Sequence, residues 1–152
     1  MTYTTVEARQ KVLSDLSVAI AQIAVSLTAL GEAYEQLDEQ KADVLEEQLF
    51  RPAQSAYGRA KRTHTDFAAR SGLIAGSLEQ DPPIPHPQSV QTLIERAVFA
   101  AGGADQTIAE LQDSLLPVEV GDPELRAGLA QVRESLSRIP ARARELVRTV
   151  GR

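Results

Sequence analysis

A chain of 152 residues is long enough for one domain that buries its own core, and the absence of cysteine excludes disulfides, thiolate metal sites and cysteine nucleophiles. Hydrophobic residues make up 43% of the chain but aromatics only 4%, so the core has to be built from Leu, Ile, Val and Ala, side chains that suit helix-on-helix packing. A net charge of −5 argues against a general nucleic-acid binder.

The opening Met1–Glu7 lacks the basic start and apolar run of a signal peptide. The longest uncharged stretch, 16–31, holds Ser17, Gln22, Ser26 and Thr28, and is short and polar beside the roughly 20 apolar residues of a membrane span. A cytoplasmic protein is the expectation.

The first predicted helix covers about 4–50. Thr4 and Glu7 have capping-box spacing, and behind them run Val6, Leu13, Leu16, Ile20, Ile23, Leu27, Leu30, Tyr34 and Leu37. From Leu13 the steps alternate between three and four, which is a heptad seam and not a strand pattern. After Leu37 the register shifts, and four-residue steps through Lys41, Leu45 and Leu49 fit better. Pro52 biases its predecessor away from helical geometry, which places the end near Phe50.

A second helix is expected over 52–79, with Ala53, Tyr57, Ala60, His64, Phe67, Ser71, Ile74 and Leu78 on one face. Residues 81–87, Asp-Pro-Pro-Ile-Pro-His-Pro, cannot continue a helix and read as a stiff connector. Its Pro82-x-x-Pro85 is a minimal polyproline pattern, more simply a spacer. The third helix, about 89–116, opens at a Ser89 cap and carries Val90, Ile94, Ala97, Ala101, Ala104, Ile108, Leu111 and Leu115. The fourth, about 122–150, starts at Asp122-Pro123-Glu124 and carries Leu125, Leu129, Val132, Leu136, Ile139, Ala143, Leu146 and Val150. Pro140 lies inside it and should kink or interrupt it.

The expected fold is therefore all-α: one domain, 1–152, forming a four-helix antiparallel bundle with an extended first helix. Charge favours a first hairpin turned at 50–52. Residues 32–47 hold seven carboxylates against Lys41, and 51–70 hold Arg51, Arg59, Lys61, Arg62 and Arg70 against Asp66. A continuous, kinked helix through Pro52 is the competing reading. With the hairpin, the first helix is about 70 Å long and overhangs its neighbours. The overhanging part bears a second apolar stripe, Val18, Ala21, Val25 and Ala29, and a helix apolar on two sides is covered on two sides. Either the later helices cover it or a second copy does; a homodimer through these four residues is the favoured expectation.

Signs of catalysis are weak. His64 should face Tyr34 and Leu37, yet no Glu-x-x-His pair accompanies it, and His86 lies in the connector. There is no Gly-x-Ser-x-Gly elbow and no glycine-rich phosphate loop. Gly102-Gly103 reads as a kink or close helix contact, with a cavity wall as the alternative. Glu35, Glu39 and Asp43, one helical turn apart, read as a solvated face before a metal site. No cofactor or metal is expected. The last helix is arginine-rich, and Arg138, Arg142, Arg144 and Arg148 are candidate anion-binding residues. They do not share one helix face and have no interleaved aromatics, so nucleic acid or a membrane surface is the weaker reading. The expected function is a non-catalytic helical interaction or oligomerisation module, for itself or a helical partner protein. The alternatives are an anionic-surface binder and a small-ligand-binding bundle with a cavity near His64 or Gly102-Gly103.

Overall fold

The structure, a computed structural model, describes residues 5–76, 78 and 88–150. The described residues form helices and the turns between them, with no strand among them. The Thr4 cap and the proline connector 81–87 lie outside the described residues.

Helix α1, Thr5–Gln36, buries Leu13, Leu16, Ile20, Ile23 and Leu30 as its heptad seam requires. It stops at Leu37–Asp38, where the Leu37 N–H turns back to the Tyr34 carbonyl at 3.2 Å. The Asp38 carboxylate accepts from the Lys41 N–H at 2.9 Å and so caps α2, Glu39–Leu45. A π-helical turn, Glu46–Phe50, follows and runs directly into α3, Arg51–Ser71; Arg51 at the junction has φ −61° and ψ −49°. Gly72, at φ +70°, ends α3 in the left-handed conformation that glycine adopts without steric cost.

Two expectations are corrected here. The first turn of the chain lies at Leu37–Asp38, not at 50–52, and the helix continues through Pro52. Proline in a helix removes the N–H that would bond the carbonyl four residues back, here that of Gln48. That carbonyl accepts from Arg142 Nη1 at 3.4 Å, and the wider π-turn sits just before the proline. With α1 at 32 residues, and α2 to α3 running from 39 to 71, no long overhang remains. The acidic 32–47 and basic 51–70 blocks largely follow one another along the same run and do not lie side by side in a hairpin.

The second half keeps more of its expected form. Ser89 Oγ accepts from the Thr92 N–H at 3.1 Å and caps α4, Val90–Asp113. Leu115 takes φ +66°, and Pro117 sits in a single helical turn, α5, Leu116–Glu119, where a loop was expected. Asp122 caps α6, Pro123–Ser137, through the Leu125 N–H at 2.9 Å. The expected interruption before Pro140 falls at Arg138, after which α7, Ile139–Val150, begins.

Side chains set the pairing of these elements. Helix α1 packs chiefly on α4, and on another side against α3. Ser26 is fully buried and its Oγ donates to the Ala97 carbonyl at 2.9 Å, while Gln36 Nε2 donates to the Gln88 carbonyl at 2.9 Å. Later residues of α1 thus meet earlier residues of α4. Arg70 at the end of α3 holds Asp122 through two 2.9 Å bonds and Glu124 at 3.0 Å, both at the start of α6. Burial alone would push the Asp122 carboxyl up; the Arg70 bonds and the Leu125 N–H outweigh it and hold the group below its ordinary value. Arg133 on α6 reaches Asp105 at 2.8 Å and Gln112 at 2.9 Å on α4.

Helices α3 and α6 pack closely at Gly128. A methyl group there would lie 2.3 Å from Thr63 Oγ1, which donates to the Arg59 carbonyl of its own helix. Gly128→Ala is therefore expected to destabilise the fold by about 1–3 kcal/mol in urea titration, despite alanine's better helix propensity. Adding Thr63→Ala should return part of that loss, and an unaltered midpoint for Gly128→Ala would contradict this packing.

Candidate functional site

The break at Arg138 separates α7 from α6. Past the break, α7 leans on the π-turn through the Arg142–Gln48 bond and also contacts α4. Its core residues Ile139, Ala143 and Leu146 are buried. Outside them an open groove of about 700 Å³ remains between α4 and α7. Ile94 and Val98 line it from α4, Ala143 and Val147 from α7, with Phe99 and Pro140 at its edge. Phe99 is 85% exposed, although a ring of this size ordinarily contributes to a core. Glu95 stands on the α4 wall, Arg144 and Arg148 on the α7 wall. Arg148 pairs with Glu145, whereas neither Glu95 nor Arg144 has an ion-pair partner among the described residues.

The four candidate arginines do not converge. Arg138 pairs with Glu134 at 2.8 Å and lines a polar cleft between α3 and α6 with Arg59, Gln131 and Ser135. Arg142 is engaged with the Gln48 carbonyl, and only Arg144 and Arg148 share a surface. A neighbouring α3–α6 cleft contains Arg59 and Arg62, but Asp66 and Glu124 line it too, so its charge is mixed.

The second stripe of α1 divides as well. Ala29 is fully buried within the chain and offers no surface to a partner. Val25 is half-buried, Ala21 is exposed and Val18 is 50% exposed. By length and composition α1 could cross a membrane, and half of its most apolar window is buried against the rest of the chain. The expectation drawn from the uncharged stretch alone understated that length.

At the remaining candidates the interior is packed. Gly103 meets Gln22, whose Nε2 would lie 3.0 Å from an added methyl group, and α4 runs unbroken past Gly102, which faces open space. This is a close helix contact and not a cavity wall. No group of three or more carboxylate or histidine side chains able to hold a metal occurs among the described residues, and the Leu37–Asp38 break separates Glu35 from Glu39 and Asp43. Comparison with known proteins finds no matching family model, no similar curated protein and no similar solved structure.

His64 is buried at the α1–α3 contact, facing the backbone of Leu13 and not Tyr34 or Leu37, because the turn lies at Leu37–Asp38. Its Nδ1 is buried without a partner. Burial lowers its pKa from the ordinary 6.5, and the Leu13 carbonyl opposes that shift. The unfolded chain thus takes up the proton before the folded one does. The contribution to stability is complete above pH 6.5 and falls as pH drops through the window below it. His64→Leu should flatten the acid slope of the unfolding free energy, read from urea titrations, by at most about 1.4 kcal/mol per pH unit in that window. Parallel slopes for the two proteins would refute this role.

Proposed function

We propose that this chain is a non-catalytic helical interaction module that associates with a second copy of itself as a homodimer. The observation that carries this reading is Phe99, 85% exposed beside a groove lined by Ile94, Val98, Ala143 and Val147. An exposed ring next to an open apolar groove is the chemistry of a helix-docking surface, where anchors of this kind supply most of the binding energy.

The same reading includes the architecture. The run of Glu39–Ser71, the α6–α7 run, α1 and α4 are read as the rods of a four-helix antiparallel bundle. Supporting this are the Ser26–Ala97 and Gln36–Gln88 bonds between α1 and α4, the Arg70–Asp122 pair between α3 and α6, and the Arg133–Asp105 pair between α6 and α4. Such a scaffold holds a surface groove rigidly without needing a catalytic centre.

Sedimentation velocity of the full chain from low to high micromolar concentration tests the reading. A reversible monomer–dimer equilibrium is expected, and a monomer throughout would overturn it. Val18→Glu with Val25→Glu separates the two surfaces that could carry the association. Lost dimer with retained helicity assigns it to the outer face of α1; an unaltered dimer assigns it elsewhere.

A further inference from the structure

We infer that the α4–α7 groove is the dimer interface and that two copies meet in it about a two-fold axis running along the groove; this rests on the self-association proposed above. The argument is the distribution of charge around an apolar floor. The α4 wall carries Glu95 and the α7 wall carries Arg144 and Arg148. A two-fold axis along the groove sets α4 of one copy against α7 of the other. Glu95 then faces Arg144 and Arg148 of the partner subunit, and the reverse contact forms on the other side. The perpendicular two-fold would set α4 against α4 and α7 against α7, so that Glu95 meets no arginine of α7 and, where the axis passes at its level, meets its own counterpart. Charge pairing selects the first arrangement.

Shape points the same way. Phe99 lies one helical turn after Glu95 and projects from the edge of the groove. In the selected arrangement each Phe99 enters the space beside Pro140 and Ala143 of the partner subunit, so every copy supplies both a projection and a recess. A wholly anionic ligand would meet Glu95 on one wall and a cationic one the two arginines on the other. A second copy matches both walls at once.

Charge reversal tests this on the full chain. Glu95→Arg alone, and Arg144→Glu with Arg148→Glu, should each weaken dimerisation by about tenfold or more, and Phe99→Ala likewise. Because both contacts of a mixed dimer then pair opposite charges, an equimolar mixture of the Glu95→Arg protein and the Arg144→Glu/Arg148→Glu protein should associate more strongly than either alone. All these side chains are exposed, and circular dichroism checks that each variant keeps its helicity. A wild-type dimer that tolerates every groove variant would overturn this interface while leaving self-association standing. Weakening by the single sets without recovery in the mixture would overturn the charge-paired two-fold arrangement. A wild-type monomer would overturn both.

Discussion

The structure depends on the two-sided burial of α1. Its apolar residues span too wide an arc for a single neighbour, so one flank packs against α3 and another against α4. The α4 contact is close where Ser26 meets Ala97 and where Gln22 meets Gly103 and Thr107. A serine is short, and Ser26 reaches the Ala97 carbonyl only because the two backbones approach closely. Once α3 and α4 are placed by α1, α6 follows through Arg70–Asp122 on one side and Arg133–Asp105 on the other. Neither ion pair drives folding, since partly exposed pairs contribute little. They select which helix end meets which.

The elements that depend on near neighbours were legible in the sequence. The heptad seam of α1 predicted the burial of Leu13, Leu16, Ile20, Ile23 and Leu30, though Val6 and Tyr34 on the same seam are exposed, and Ser89 and Asp122 predicted the starts of α4 and α6, because a cap needs only a side chain and an N–H two or three residues away. The interruption before Pro140 was legible for the same reason. The first turn was not. Two signals competed for it: the register shift after Leu37, with Asp38 and Glu39 forming a cap and an acidic first turn, and Pro52, the stronger local stop. Local rules favour the proline. In the structure the helix runs on through Pro52 after a π-turn, and a donor 94 residues away, Arg142, reaches the Gln48 carbonyl at 3.4 Å. No local pattern shows such a partner.

The place of that turn decides several features together. A turn at 50–52 would give the first helix a long overhang, set His64 beside Tyr34 and lay the acidic block against the basic one; a turn at Leu37–Asp38 does none of these. With the turn at Leu37–Asp38, the chain itself buries only one end of the second stripe: Val18 and Ala21 stay exposed and Val25 is half-buried. Ala29, at its C-terminal end, is completely buried. A doubled apolar stripe does not by itself reveal which of its residues a neighbouring helix covers. Phe99 carried the opposite signal. It belongs to none of the apolar stripes and falls on the same side of α4 as Glu95, Gly102 and Gln106, which a helical projection of the sequence makes visible.

The groove is bordered by the same helix that carries Arg142. An unbroken α6–α7 helix would continue along the α6 line. Proline at 140 cannot donate to the preceding turn, so the helix restarts at Ile139, and Arg142 on the new helix draws it toward the π-turn. Ala143 and Leu146 remain in the core while Val147 and Arg144 turn toward the α4 side, opening the space that Phe99 borders. The two prolines at 52 and 140 are thereby complementary. One removes a backbone donor in the middle of a long helix; the other lies in the first turn of the short helix whose Arg142 reaches the Gln48 carbonyl. The α4–α7 groove lies along that same short helix.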